Sequence, residues 1–545
     1  MQIIIPSAKN ANKDSFSMEQ FPPVIYPVND EIVFDHLLEQ YQGMADEITV
    51  ICFEKQSTVH KRLQTYGDPR IQIIDLPELK DLGYTIYQGL KDTHTPVIIN
   101  FGDTIVFDNL FEKAQDSFFY SEEPLSDVWT FFCIDHGKIT NIYDKAHIQS
   151  ANPQLGQLFV GVFQIMDSAD FKSCLEVAMQ QKSLEISTFY YALQLYSEIH
   201  PFVPVKTSNW FDIGHIDNYY NSKIEVAARE FNHLTIDRNR GLIYKTSEEK
   251  EKFIGEIKWY LKLPTDIEYV RPRIFNYSTS YEHPFVCMEY YAYHTIHELF
   301  LYGKLNYKQW QDIFSRIRFI YNDFRRYRVS DARIQSSLKD MYLTKTMQRL
   351  RKLRENPNFK PFFTNEITLN GEIYPSLDRI MSILEKQIPK ELFDIVEFSI
   401  IHGDLCFANI MIDPNLAFLK VIDPRGKFGS FDIYGDPRYE LAKLFHSIDG
   451  KYDYIIKNLF SLYYDISKAA IDFSIQDNIQ DFDLYQLFLN VFRDEIGQDL
   501  KKIELIEALL FLSMIPLHGE SLNHQMVMLG TGLSILKRVV SLESV

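Results

Sequence analysis

In the C-terminal third of the chain His402, Gly403, Asp404 and Asn409 share one short stretch, and Asp423 follows fourteen residues after Asn409 behind the apolar pair Val421 and Ile422. Two carboxylates and an amide at this spacing suit phosphoryl transfer. One acid orients an acceptor hydroxyl, while the amide and the second acid hold magnesium on nucleotide phosphates through hard oxygen ligands. Asp404, behind the apolar run Phe398 to Ile401, is the expected catalytic residue, and Asn409 and Asp423 are the expected metal ligands. A lone His-Gly-Asp arises by chance, and either acid by itself would serve as a turn or cap residue. The spacing, the strand context and the trailing Gly435-Asp436-Pro437 move the reading to catalysis.

These residues need elements to hold them. Leu234 to Asp237 and Leu242 to Lys245 read as two strands around the turn-forming Arg238 to Gly241, a hairpin that starts near Glu230. Ser247 to Leu263 has helical periodicity, and Pro284 to Tyr290 reads as a buried strand entering a connector. Lys245, at the end of the hairpin, is placed to contact the α and β phosphates of a nucleotide. Glu256 on the following helix is placed to hold that lysine as an ion pair. The backbone of Met288 to Tyr290 could bind an adenine or guanine edge, and packing of the Tyr290, Tyr291 and Tyr293 rings against the core is an equal reading. Beyond about Leu305 helical periodicity dominates, broken at Pro357 to Pro375 and at His402 to Asp423.

The C-terminal motifs resemble the aminoglycoside phosphotransferase and choline kinase branch of the protein-kinase-like fold, in which His-Gly-Asp-x4-Asn precedes an Ile-Asp signature. The segment Gly435 to Leu444 is similar to the one that follows in that family, where a residue at the Asp436 position braces the catalytic loop. The resemblance spans about residues 231 to 545. It implies a bilobal fold, ATP or GTP with Mg2+, and a small hydroxyl acceptor. No Gly-x-Gly-x-x-Gly stands in the hairpin, so phosphate cover falls to Asp237 to Gly241. The continuation Pro424-Arg425-Gly426 stands where that family more usually has an aromatic after the metal acid, and Arg425 could bind a carboxylate or phosphate on the acceptor. Lys345 and Arg349, four apart on the most basic stretch of the chain, could do the same or could be a solvated face.

Residues 1 to 222 alternate short apolar runs (Ile3 to Ile5, Glu47 to Phe53, Ile71 to Ile74, Val97 to Phe101) with amphipathic stretches such as Val33 to Gln42. This alternation predicts an α/β domain with a largely parallel sheet. Asn221 to Arg229 reads as a polar helical segment that leads to a second domain at 230 to 545. The opening Met1 to Ala8, Pro22 to Val28 and the helix from Ile32 resemble the start of a sugar-phosphate nucleotidyltransferase, a Rossmann-like, GT-A type fold. Leu82 to Ile86 resembles its nucleotide and sugar contact loop. Asn100 to Thr104 and Trp210 to Gly214 resemble its two metal-aspartate motifs, which would make Asp103 and Asp212 magnesium ligands; ordinary strand-end caps are the other reading. The family's glycine-rich loop with its Arg is replaced by Ser7 to Asp14, and its Pro-Lys-Pro lysine falls at Pro23. Lys9 or Lys13 could substitute. Active and degenerate forms of this domain both remain open.

Composition narrows the rest. In 545 residues, 46% hydrophobic and 14% aromatic content supply packed cores and leave little for long disorder. A net charge of −18 argues against a nucleic-acid binder, because phosphate backbones are held by clustered Lys and Arg. The five cysteines are odd in number and scattered, as buried free thiols in a reducing cytoplasm would be. No secretory leader and no uncharged stretch of about 18 residues is found, so no membrane span is expected. The expectation is a cytoplasmic α/β plus α+β protein. It is a Mg2+-dependent kinase that moves the γ-phosphoryl of ATP or GTP to a sugar or amino-alcohol hydroxyl, in surface polysaccharide or lipid precursor synthesis. The alternatives are a bifunctional kinase and nucleotidyltransferase making an NDP- or CDP-activated product, and a non-catalytic nucleotide-binding scaffold. Oligomerisation is left open.

Overall fold

Ile3, Ile4 and Ile5 are all fully buried, as a strand covered on both faces requires. The computed structural model describes residues 1–11, 20–28, 31–108, 111, 113–126, 128–145, 155–181, 186–214, 234–237, 239–476 and 482–542. The segment Asn221 to Arg229, Glu230 at the hairpin start, Lys13 and Arg238 lie outside them. The chain divides into two compact units, Met1–Ala227 and Ala228–Val545.

In the first unit, Gln2–Pro6 lies between Val97–Asn100 and Glu47–Cys52, parallel to both, and Ile71–Asp75 extends the parallel set beyond Glu47–Cys52. The helices Val33–Gln40, Gln56–Gln64 and Leu82–Gly89 separate these strands in sequence. The expected parallel sheet stops there. On the other side Leu155–Ile165 runs antiparallel to Val97–Asn100 and pairs with Ser117–Pro124 and Thr130–Asp135. Thr130–Asp135 turns back into Lys138–Asp144 through His136 and Gly137, both at positive φ. Two left-handed residues in a row make the tight turn that matches strand twist, so this part of the nine-stranded mixed sheet is closed by a local hairpin, while Val203–Lys206, reached through helices Ser168–Gln180 and Thr188–Ser197, runs parallel to Ser117–Pro124. Cys52, Cys174 and Cys287 are buried and Cys406 half-buried, but Cys133 is exposed, against the expectation of buried thiols.

The second unit opens with an antiparallel sheet in the order Leu234–Asp237, Leu242–Lys245, Phe285–Glu289, Ile274–Ser278. Helix Lys250–Lys262 carries Phe253, Glu256, Ile257, Trp259 and Tyr260 on its buried face. Helices then dominate, among them Tyr307–Arg325, Lys345–Glu355, Leu377–Leu392, Pro437–Ile448, Leu500–Met514 and Leu522–Val539. A π-helical turn at Lys339–Thr344 leads directly into Lys345–Glu355. Two small sheets serve the central motif. Phe398–Ile400 lies between Arg328–Val329 and Tyr434–Gly435, and Ile410–Ile412 pairs with His294–Thr295 and Leu419–Val421. A further four-stranded sheet joins Ile367–Leu369 and Glu372–Tyr374 to Ala470–Ile475 and Phe460–Asp465, which the helical periodicity did not foretell. No helix among the described residues is long and apolar enough to cross a membrane.

Candidate active site

The loop after Phe398–Ile400 is held from below. His402 is fully buried, its ring edge-on to Trp259 with centroids 5.3 Å apart, and Trp259 Nε1 donates to the Ile401 carbonyl at 2.7 Å. The backbone N–H groups of His402 and Gly403 donate to the two carboxylate oxygens of Glu440, at 2.7 and 2.8 Å. Gly403 has φ +79°, and a Cβ there would stand 2.9 Å from Cβ of Arg425, so the position requires glycine. Asp404 then points to Lys443, Oδ1 to Nζ 2.7 Å. Glu440 and Lys443 are one turn apart on Pro437–Ile448, so a single helix face sets the loop backbone and the acid it carries. Burial works to raise the Asp404 carboxyl, but the Lys443 ammonium outweighs it and holds the group at about 2.

Asn409 closes the loop, donating through Nδ2 to the Asp404 carbonyl at 2.9 Å. That bond fixes the amide so that Oδ1, its acceptor end, is the atom that could hold a cation. Ile410 stands opposite Val421 in the strand pair, and Ile422 N–H donates to the Asn409 carbonyl, so Asn409 and Asp423 come to neighbouring strand ends. Asp423 sits at φ +56°, a left-handed conformation that aspartate tolerates better than most residues. Its N–H donates to the Tyr260 hydroxyl at 3.0 Å, and its Oδ1 lies 2.6 Å from Lys245 Nζ. Lys245 also meets Glu256 Oε1 at 2.8 Å. Lys245, Glu256 and Asp423 thus form one ion-pair chain, and Glu256 and Tyr260 reach it from successive turns of Lys250–Lys262. Burial pushes Glu256 up to about 7, with the Asp423 charge adding to it and Lys245 opposing. The oxygens of Asn409 and Asp423 are a donor set that fits magnesium.

Arg425, two residues on, donates Nη1 to the Tyr439 hydroxyl at 3.0 Å and its N–H to the His402 carbonyl at 2.9 Å. Lys345 and Arg349 lie on one face of Lys345–Glu355. Lys345 is half-buried and feels the charges of Arg425, Arg349, Lys443 and Asp404. Lys345 therefore faces the Asp404 loop, Arg349 lies toward Arg425 and Tyr439, and neither is a wholly solvated cation.

Three expectations are corrected. The loop brace is Glu440, not Asp436: the buried Asp436 caps its helix through Arg438 N–H and binds the Arg438 guanidinium and the Tyr342 hydroxyl. The N–H groups of Glu289 and Tyr290 are taken by the carbonyls of Arg273 and Gly241, and Met288 is laddered between Ile243 and Ile274. The N–H groups of Glu289 and Tyr290 are therefore spent within the unit itself and are not donors for a base edge. Leu82 to Ile86 is not a loop but the start of helix Leu82–Gly89, capped by Asp81, where Gly83 admits close packing against Thr188 and Phe189. Glu440 and Lys443 lie within the Gly435 to Leu444 segment, and the sequence reading assigns neither a role. Their three-residue spacing behind a helix-starting proline was the available signal.

In the first unit Asp212, at the end of Trp210–Asp212, pairs opposite Thr104, next to Asp103. A Cβ on Gly214 would stand 2.8 Å from Asp103 Oδ2 and 3.2 Å from Asp212 Oδ1. The two carboxylates thus pack against Gly214, whose N–H donates to Asp212 Oδ1 at 2.8 Å, so the glycine lets them approach one another. Trp129 Nε1 donates to Asp212 Oδ2 at 3.2 Å. Lys9 is exposed on the loop after Gln2–Pro6.

Neither a protein-family model nor a curated protein matches the chain. Solved structures align with part of it. A CTP:phosphocholine cytidylyltransferase from Streptococcus pneumoniae (LicC) matches at 13% identity over 41% of this chain and 98% of its own, with a TM-score of 0.34. A putative glucose-1-phosphate thymidylyltransferase from Bacillus anthracis matches at 14% over 43% and 96%, TM-score 0.33. An inositol-1-phosphate CTP transferase from T. maritima matches at 11% over 40% and 90%, TM-score 0.32. Values this low leave the residues of this chain to be read on their own geometry.

Proposed function

We propose that the Ala228–Val545 unit is a bilobal, kinase-like phosphotransferase that moves the γ-phosphoryl of ATP or GTP to a hydroxyl of a small metabolite. The observation that carries this reading is the ion-pair chain Glu256–Lys245–Asp423, which joins a hairpin and the helix after it to a loop 178 residues further along the chain. It stands with Asn409 and Asp404 on the adjoining loop. Lys245 is the cation that would meet the α and β phosphates. Asn409 Oδ1 and Asp423 are the groups that would hold magnesium, which when bound neutralises charge on the phosphates. Asp404 orients the acceptor hydroxyl. A carboxylate held at about 2 is a weak base, so it accepts the hydroxyl proton late, as the new O–P bond forms. Glu289 and Tyr291, at the end of the sheet, would face the nucleobase. The setting is the cytoplasm, where nucleotide is at hand, and the product would feed surface polysaccharide or lipid precursors.

A second reading has its own observation. The convergence of Asp103 and Asp212 around Gly214 favours nucleotidyl transfer in the first unit, which would make the chain bifunctional and its product an NDP or CDP derivative. Product analysis separates the cases. With magnesium, nucleotide and a panel of sugars, amino alcohols and their phosphates, the kinase releases a nucleoside diphosphate, and nucleotidyl transfer releases pyrophosphate. Nucleotide binding with neither product would favour the scaffold and contradict the proposal.

A further inference from the structure

We propose that the acceptor carries a phosphomonoester, which Lys345, Arg349 and Arg425 hold beside Asp404. The inference rests on the kinase reading and narrows its substrate class to phosphorylated sugars or polyols, away from amino alcohols.

The three cations come from two elements, a helix and a loop, which Tyr439 links: its hydroxyl accepts from Arg425, and its ring packs 6.3 Å from that of Tyr342, one turn before Lys345. Lys345 and Arg349 stand one turn apart on Lys345–Glu355. Arg425 leaves the loop two residues after Asp423 and ties to the Tyr439 hydroxyl at 3.0 Å. Tyr439 is one turn before Lys443 on Pro437–Ile448, and Lys443 holds Asp404. One helix face therefore fixes both the acid and the guanidinium beside it. Among the described residues, Lys345, Arg349 and Arg425 have no carboxylate within ion-pair distance, whereas Lys443 has Asp404. Arg349 makes only a long contact, Nη1 to Ser513 Oγ at 3.4 Å.

Such a group is costly without a counter-ion. Half-buried like charges repel, and burial removes the water that would otherwise solvate them. Burial first, then the charges of Arg425, Arg349 and Lys443, lower the Lys345 ammonium to about 6. A phosphate dianion set among the three would relieve that repulsion through charge-assisted hydrogen bonds, bidentate from an arginine. An ammonium-bearing acceptor would add a further positive charge to the group. A carboxylate has the right sign but only one charge and two oxygens for three cationic partners.

The test uses the full chain with ATP and magnesium. Acceptors are matched sets: sugar and polyol phosphates, the corresponding sugar acids, the unphosphorylated parents, and amino alcohols. The phosphorylated set is expected to give the highest kcat/KM, and Arg349→Gln or Lys345→Met to raise its KM by about tenfold or more while leaving KM for ATP unchanged. Arg349→Lys should recover part of the loss. Preference for parents, amino alcohols or sugar acids would overturn the assignment, as would variants that raise KM for ATP instead. Calorimetric titration with inorganic phosphate probes the site apart from turnover. Binding that is lost in Arg349→Gln and kept in Asp404→Asn supports the anion site even if no nucleotide is consumed, which would sink the kinase reading alone. No phosphate binding by the wild-type chain would overturn the site.

Discussion

Gly426 and Gly255 meet backbone to backbone: a Cβ built on Gly426 would stand 2.1 Å from the Gly255 carbonyl oxygen, and Gly426 is at φ +61°. The contact presses the loop that follows Asp423 onto the helix that carries Glu256 and Tyr260. The Lys245 ion-pair chain spans that junction, so the two glycines set how closely its members approach.

The contact is asymmetric, and that makes it testable. Gly426→Ala combines a left-handed φ with a backbone clash and should cost roughly 2–4 kcal/mol in chemical denaturation. A Cβ on Gly255 would meet Gly426 O at 3.3 Å, so Gly255→Ala should change stability by less than about 1 kcal/mol. Equal losses in the two variants would show that the loop and helix do not pack this way.

Glu440 should behave as the anchor of the Asp404 loop. Glu440→Ala leaves two buried N–H groups without an acceptor and should cost roughly 2–4 kcal/mol. Burial raises the Glu440 carboxyl to about 7, against the pull of both amides. Its folded value lies above the ordinary 4.5, so the folded state binds the extra proton and stability falls as pH rises from about 4.5 to 7. Glu256, also raised to about 7, contributes in the same window, so denaturation across that range should show a slope that Glu440→Gln reduces without abolishing.

Asp404 carries the opposite sign. Its folded value of about 2 lies below the ordinary 3.8, so the Lys443 pairing stabilises fully above that value and is lost as pH falls through about 2. Asp404→Asn should flatten the acid limb of the stability curve and lower phosphorylation by several orders of magnitude while the protein stays folded. Asp423→Asn should weaken magnesium-dependent nucleotide binding as well as turnover. Near-native rates in either variant would remove the assigned role.

Lys345 predicts proton uptake. Held at about 6 by burial and by Arg425, Arg349 and Lys443, with Asp404 opposing, it is largely neutral at pH 7.5 and recharges when an anion binds. Calorimetry of phosphate binding in two buffers of different ionisation enthalpy should report uptake approaching about one proton per site on top of the phosphate's own ionisation. Lys345→Met should abolish that difference.

What the sequence disclosed follows from range. Gln2–Pro6, the hairpin to Lys245, helix Lys250–Lys262 and strand Phe285–Glu289 were legible because their apolar periodicity is local. The pairing of Ile367–Leu369 with Ala470–Ile475 was not, since its partners lie about a hundred residues apart and neither run is long. The antiparallel half of the first sheet was hidden for a different reason: His136 and Gly137 adopt the hairpin turn without the common Asn-Gly signature. At the site, Asp404, Asn409 and Asp423 could be picked out by spacing and Lys245 with Glu256 by context. Glu440 displaced Asp436 as the brace because the helix start spends the Asp436 carboxylate on its own cap and on Arg438. That the N–H groups of Glu289 and Tyr290 are spent on the Arg273 and Gly241 carbonyls depends on pairing across the sheet, which local periodicity does not show.

The most direct measurement is mass spectrometry of acceptor panels after incubation with the purified chain, nucleotide and magnesium. A product heavier by one phosphoryl group, formed with release of nucleoside diphosphate and absent with Asp404→Asn, is the predicted result. Bound nucleotide with no phosphorylated product from any acceptor, or the same product at the same rate from Asp404→Asn, would contradict phosphoryl transfer at this site.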